Sequence, residues 1–234
     1  MHLWGFIVNT LTVLVGTGLG LFIGARLSEA VKKIILSGLG LSTIIIGIQM
    51  SLETQIVILL VGSLVAGGII GQLIGIEEWL ERIGERLRSR FESGRPTASR
   101  GNSTFVLGFV TASLLFCAGP MTIVGSLEDG LAGKADLIYI KSLMDSVASI
   151  ALAASLGVGV MFSAIAVLVY QGLLTYAGMI FGGFLAKPLM DEISATGGAL
   201  ILGIGFNLLG FGRIKVGNFL PALFLAAILA WLFL

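Results

Sequence analysis

Two ionisable side chains stand inside an apolar stretch of this chain. In IKSLMDSVASIA, Lys141 and Asp145 are four residues apart, so on a helix they share one face. Ser142, Ser146 and Ser149 run beside them as a small polar stripe. Ionisable groups in hydrocarbon are expensive, usually face the interior and mark sites or pairings. Two chemistries fit. Asp145 is a cation or proton site, or Lys141 and Asp145 are an ion pair neutralised within their own helix. Near a membrane surface, Lys141 would also reach water by snorkelling.

A second stretch, FCAGPMTIVGS at residues 116–126, places Gly119-Pro120 in the middle of an apolar run and follows it with Met121, Thr122 and Ser126. Proline lacks an N–H and clashes with the carbonyl four residues earlier, so a helix kinks or breaks there. In a bilayer the freed backbone groups need partners inside protein or in a wet cavity. A half-helix starting near Pro120 would offer free N–H groups to an anion, and the carbonyls before it could face a cation. The plain alternative is a proline kink repaired by neighbouring helices. Gln171 and Asn207 are further candidates to line such a site, with Gln49 and Asn9 behind them. Each would serve equally well as hydrogen-bonding glue between helices.

Other chemistry finds no residues to carry it. The single histidine, His2, and single cysteine, Cys117, leave no His/Cys metal cluster and no internal disulfide. Cys117 reads as an apolar filler. No G-x-S-x-G, phosphate loop or dinucleotide fingerprint stands in a suitable context, since GTGLG at 16–20 falls inside an apolar span. Neither enzyme activity nor a cofactor is expected, apart from Na⁺ or H⁺ as a coupling ion.

These residues must be positioned by membrane helices. Apolar residues make up 56% of the chain and charged residues 12%, against roughly one-quarter charged in soluble domains, and the mean hydropathy is +1.05. Glycine supplies 34 of 234 residues, which suits close helix packing. The expected fold is all-α: a polytopic bundle spanning a lipid bilayer, with spans of about 20 residues. They fall near 4–24, 31–51, 55–76, 104–125, 137–156, 160–185, 195–211 and 216–234. The interrupted 104–125 segment and the glycine-rich 31–51 and 195–211 segments leave seven spans as an alternative to eight. The first span reads as a helix and not a cleaved signal, because no basic n-region precedes it.

Between the third and fourth spans lies the charged stretch 77–103. Leu80, Ile83, Leu87 and Phe91 recur there at helical spacing among charges, the pattern of an amphipathic helix at a bilayer surface or, alternatively, of a solvated linker. Residues 93–103 read as a loop. With eight spans, eleven of the fourteen basic residues fall in the first, third and seventh turnarounds, which places those loops in the cytoplasm and both termini outside. The net charge of +1 carries no indication of a nucleic-acid partner.

The chain also echoes itself. A shift of 158 residues superposes Gly20, Gly24, Leu27, Gly40, Ile46 and Gly47 on Gly178, Gly182, Leu185, Gly198, Ile204 and Gly205, and sets Gln49 against Asn207. Glycine-rich sequence matches easily by chance. If the repeat is real, spans 1–3 (residues 1–76) and 6–8 (157–234) have opposite topology around a central pair at 104–156. Inverted repeats of this kind build many secondary transporters, with the site at the midplane. The glycine runs 16/20/24 and 67/71/75 are small-xxx-small packing faces, through which a homodimer is also conceivable.

The run CAGPMTIVGSLEDGLAGKADLIYIKSLMDSVASIALAASLGVGV, with YQGLLTYAG further on, resembles the signature of a bacterial inner-membrane family known as domain of unknown function 554. Cys117–Met121, Asp129-Gly130 and Lys141-Ser142 carry the likeness, and Asp145-Ser146 stands where the pattern has Asp-Gly. The resemblance covers essentially the whole chain. It implies a multi-pass protein of the bacterial inner (plasma) membrane in a group described as candidate transporters, and it brings no substrate or functional residues with it. The expected function is secondary transport of a small solute, coupled to H⁺ or Na⁺. A passive channel, or a scaffold or sensor acting through the 77–92 helix, are the alternatives.

Overall fold

The computed structural model describes residues 4–91, 99–181 and 187–233. These residues form ten α-helices and, among them, no strand: α1 (Gly5–Gly24), α2 (Glu29–Ser51), α3 (Val57–Ile74), α4 (Ile76–Phe91), α5 (Ser99–Cys117), α6 (Pro120–Ala132), α7 (Asp136–Leu156), α8 (Ser163–Phe181), α9 (Lys187–Leu209) and α10 (Leu220–Phe233). Short 3₁₀ turns at Gly157–Phe162 and Val216–Phe219 precede α8 and α10. Of the expected loop at 93–103, residues 93–98 lie outside the described residues, and from Ser99 the chain is already helical. The repeat positions Gly182 and Leu185 also lie outside them.

Six segments are long and apolar enough to cross a bilayer, or seven if the bent α5–α6 pair is one span. One of the six, Asp136–Ile180, runs 45 residues through α7, the 3₁₀ turn and α8. As one straight helix it would reach about 67 Å, over twice the thickness of a hydrocarbon core. The last two spans are better bounded than the sequence alone allowed: α9 starts at Lys187, eight residues before the expected 195.

Glycines decide which helices touch. Along α1, Gly16, Gly20 and Gly24 lie on Ser146, Ile150 and Ala154 of α7, so close that an added Cβ would fall 2.5, 2.3 and 2.6 Å from backbone atoms there. The register rises together on both helices, so α1 and α7 run parallel. Gly67 and Gly71 of α3 meet Ala222 and Asn218 in antiparallel order. The small-residue runs foreseen as packing faces are therefore used within the chain. Gly75 instead closes α3 in the left-handed conformation (φ 73°), its N–H donating to Gly71, a cap that glycine adopts without strain.

Helices α2 and α9 also run antiparallel, and their contact is reciprocal. A Cβ on Gly47 would lie 2.8 Å from the Gly198 carbonyl and one on Gly198 2.8 Å from the Gly47 carbonyl; Gly40 and Gly205 face each other in the same way at 3.2 and 3.0 Å. The 158-residue shift exchanges these two pairs. It also carries Glu29–Ser51 onto Lys187–Leu209 and the start of α1 onto the start of α8 at Ser163.

The turns sort to two ends. Ser155 of α7 donates to the Lys32 carbonyl of α2, and Glu77 of α4 accepts the Gly217 N–H, so the turns after α1, α3 and α9 gather where α7 ends. Arg26, Lys32, Lys33, Arg213, Lys215 and the arginines of α4 cluster there. Glu192 and Gln55 meet at the opposite end. The amphipathic α4 is the expected helix, but Leu80, Ile83 and Leu87 pack against the protein core around Phe105, Phe109 and Val110, with Gly84 against Phe109. Its apolar stripe is spent on the bundle.

Candidate functional site

The helix foreseen to break does so. Helices α5 and α6 meet at an angle of 56°, with Gly119 in an extended conformation and Pro120 as the first residue of α6. Proline cannot donate to the carbonyl four residues back, here that of Phe116. The hydroxyl of Thr122 takes over, donating to the Phe116 carbonyl at 2.7 Å. Thr122 is fully buried, so this bond satisfies a backbone acceptor that lipid could not. Across the bend, Gly197 of α9 crowds the Ala118 carbonyl.

Beside the bend stands the charged pair. Lys141 and Asp145 form a buried ion pair on α7, with 5 and 7% of each residue exposed. Asp145 Oδ2 also accepts from Asn9 Nδ2 of α1 at 3.0 Å. The lysine ammonium lies 5.9 Å from the ring centroid of Phe116, the residue whose carbonyl Thr122 caps. Cys117 feels the charges of both Lys141 and Asp145, and Tyr170 of α8 lies within reach of Cys117. The broken helix and the ion pair, read separately from sequence, are thus one place. Asn9, a weak candidate there, is a direct partner of Asp145.

Helices α1, α6 and α8 bury polar atoms without hydrogen-bond partners. Gln171, fully buried, uses neither Oε1 nor Nε2, and Ser126 Oγ, Thr175 Oγ1 and Asn9 Oδ1 are likewise unpartnered. Such atoms cost free energy in an apolar interior. They lie on helices that pack on one another and, through α1 and α6, on the α7 that carries the charged pair, and a polar guest would satisfy them.

The remaining candidates lie elsewhere. Asn207 sits near the basic end of the bundle, where its amide brackets Ile214, Nδ2 donating to the carbonyl at 2.7 Å and Oδ1 accepting the N–H at 2.8 Å. It lines an open cleft of about 660 Å³ with Glu81 and Glu85 of α4 and Arg213, away from Asp145. Ser146 presents its backbone carbonyl to Gly16 and to the Ser149 hydroxyl, a packing role. Met121 and Gly119 are half-buried at the bend. Pro120 shapes the backbone there.

Two buried acids escaped the sequence reading. Glu192 of α9, fully buried, accepts the Gln55 and Ile56 N–H groups at 2.7 and 3.1 Å and the Thr54 hydroxyl at 2.7 Å. A carboxylate from a distant helix thus caps α3. Asp129 of α6, also fully buried, accepts the Gly5 N–H of α1 at 3.3 Å. At the basic end Glu77 performs a similar service, accepting the Gly217 N–H at 2.6 Å while Asn218 Oδ1 accepts its own N–H at 2.8 Å. Burial raises the Glu77 carboxyl above the usual glutamate range, against the pull of the Gly217 bond. Its neighbour Glu78 is lowered by its bond to Lys215.

Comparison with known proteins gives the chain its relatives. It is 29% identical over 222 residues to "Uncharacterized protein YqgA" of Escherichia coli (strain K12), covering 95% of this chain and 94% of that one. It is 27% identical over 225 residues to "Uncharacterized membrane protein YdfK" of Bacillus subtilis (strain 168), covering 94 and 93%. No solved structure matches. Residues 4–231 match the family described as "Protein of unknown function (DUF554)", and with that match over nearly its whole length this all-helical membrane protein belongs to that family.

Proposed function

We propose that the protein is a secondary transporter of a small polar solute across the bacterial inner membrane, coupled to H⁺ or Na⁺, with its site at the bend between α5 and α6. The observation that carries this reading is the buried Lys141–Asp145–Asn9 cluster against Phe116 of the broken helix. A charged cluster and an interrupted helix together are the usual anatomy of a midplane site. The unpartnered amide of Gln171 and hydroxyls of Ser126 and Thr175 supply polar contacts for a solute, and Lys141 supplies a cation for any acidic group it carries.

In this reading the chain spans the membrane eight times, α7 and α8 each crossing once and α5–α6 crossing as one bent span. The basic end faces the cytoplasm and both chain ends face outward. The reciprocal glycine contact of α2 with α9 supports an inverted repeat of spans 1–3 and 6–8 about an axis in the membrane plane. A homodimer would meet on outward glycines such as Gly18, Gly38 and Gly62, which have open space beside them. Cysteines placed at the exposed positions Arg86 and Leu52, in a Cys117→Ser background, should label from opposite sides; labelling of Arg86→Cys from outside intact cells rejects this topology.

The functional test is counterflow in proteoliposomes, preceded by a thermal-shift screen of ions, amino acids and small acids to find a solute. A transporter accumulates labelled solute against unlabelled solute inside. Downhill equilibration without counterflow identifies a channel instead. A scaffold binds no solute and tolerates Asp145→Asn.

A further inference from the structure

Three buried aspartate and glutamate side chains meet very different surroundings. Glu192 has both oxygens hydrogen-bonded. Asp145 shares its Oδ2 between Lys141 and Asn9. Asp129 has neither: its Oδ2 accepts one N–H, from Gly5 at 3.3 Å, its Oδ1 has no partner, and the side chain is 0% exposed. Among the described residues no cation pairs with it.

Among the described residues, the elements packed around Asp129 bring no cation to it. Helix α1, which carries the Gly5 donor, has no charged residue along its length. On α7, Asp136 and Tyr139 are exposed; on α8, Tyr176 is exposed and Tyr170 half-buried; Glu128 and Lys134, near Asp129 in the chain, are exposed as well. Glu192 of α9 is committed to α3. Polar groups without partners do lie on the same faces. Ser126 is one turn earlier on α6, and Thr175 belongs to the stretch of α8 on which Gly130 packs, where an added Cβ would come within 1.9 Å of the Thr175 carbonyl.

An ionised carboxylate so placed is costly, because one long hydrogen bond replaces its hydration. A proton on Oδ1 removes the charge that the single Gly5 N–H leaves uncompensated. Position adds a role. Gly5, which holds Asp129, and Asn9, which holds Asp145, are one turn apart on α1, about 6 Å along its axis. Asp129 lies nearer the helix start and Asp145 deeper.

We propose that Asp129 is a proton-binding carboxyl and carries the coupling proton, separate from the Lys141–Asp145 pair that meets the solute. The proton comes from water at the end where α1 begins, bonds to Oδ1 and is returned to water, with no other bond made or broken. The coupling role rests on the transport reading above, whereas the proton site stands without it.

Infrared difference spectra of the full-length protein in lipid nanodiscs, recorded upward from a pH at which water-exposed aspartates in general are already ionised, test the site without any solute. The expected result is a carboxylic-acid carbonyl band that fades as pH rises and shifts in protein grown with ¹³C-aspartate. It should be absent from Asp129→Asn and retained in Asp145→Asn. A band lost in Asp145→Asn and kept in Asp129→Asn overturns the proposal, as does the absence of any aspartic-acid band across the titration. Should Asp129→Asn fail to fold, Asp129→Glu keeps a carboxyl while removing it from the labelled set, and persistence of the label-shifted band then overturns the site. A titrating Asp129 in a protein that shows no counterflow upholds the proton site and rejects the transport reading, so the two failures are distinguishable.

Discussion

The Thr122 hydroxyl donates to the Phe116 carbonyl at 2.7 Å, across the gap that Pro120 opens in the helix ladder. One side chain therefore repairs the acceptor that another residue strands. Thr122→Val, close in shape but without a donor, should leave that buried carbonyl unpaired at a cost of about 1–3 kcal/mol. Pro120→Ala restores an N–H and favours a continuous helix. In the double variant the loss from Thr122→Val should largely vanish, since the carbonyl then has a backbone donor. Unfolding of the four proteins in a mixed-micelle denaturation series measures the coupling, and strictly additive effects reject the repair. Pro120→Ala should also weaken solute binding while raising stability, the split expected where a site breaks a local rule.

The buried pair on α7 makes a contrasting prediction. Removing one member of a buried ion pair typically costs about 3–5 kcal/mol because the other charge stays behind. Lys141→Met should therefore destabilise strongly, leaving Asp145 with Asn9 as its remaining partner. Lys141→Met combined with Asp145→Asn carries no buried charge there and should recover most of the loss. Counterflow on that stable double variant then separates the two roles kept open by the sequence: a folded protein without uptake makes the pair functional, and wild-type uptake makes it structural.

At the basic end the Glu77 carboxyl is raised by burial, so the folded state holds its proton more tightly than the unfolded chain. The stability this contributes is fully present below the ordinary glutamate value of 4.5 and is lost as pH rises through the raised value. Docking of α4 on the turn before α10 should tighten on mild acidification, read as slower amide exchange along α4 once intrinsic rates are corrected. Glu78, lowered by Lys215, works in the opposite direction at lower pH. Glu77→Gln keeps an acceptor for the Gly217 N–H and should flatten the dependence; an unchanged slope in that variant would assign it to another group.

What could be read from sequence was whatever depends on near neighbours. Lys141 with Asp145, the Gly119-Pro120 break and the apolar stripe of α4 are all local patterns. Their partners were not legible, because they come from far along the chain. Asn9 reaches Asp145 across 136 residues and Glu192 reaches Gln55 across 137. The expected span began at 195, past Lys187, Asp191 and Glu192, although the buried Glu192 belongs to α9 and caps α3. Asp129 entered only as part of the Asp129-Gly130 motif, since nothing local reveals that α1 begins against it. The stripe of α4 indicated a surface, and only tertiary packing decides that the surface is protein.

The glycines of α2 and α9 allow a test that needs no transport assay. A Cβ on Gly47 or on Gly198 would fall 2.8 Å from the other's carbonyl, and on Gly198 also 2.6 Å from Met50 Cβ. Neither neighbour is a flexible side-chain tip, so the helices must separate. Gly47→Ala and Gly198→Ala should each cost about 1–3 kcal/mol, as overpacking does. Combined, they should cost less than the sum, because the first substitution has already opened the contact the second would crowd. Gly40 and Gly205 form the image of this contact under the 158-residue shift, and at 3.2 and 3.0 Å from each other's carbonyl their alanine variants should show the same mutual relief. Gly38 and Gly62 have nothing within 4 Å of an added Cβ, so alanine there should be neutral or stabilise by up to about 1 kcal/mol through helix propensity. Cysteine pairs supply the geometry: Gly47→Cys with Gly198→Cys should cross-link within one chain, as should Gly40→Cys with Gly205→Cys. Efficient cross-linking of Gly47→Cys with Gly205→Cys instead would mean a parallel arrangement and would remove the two-fold relation between α2 and α9.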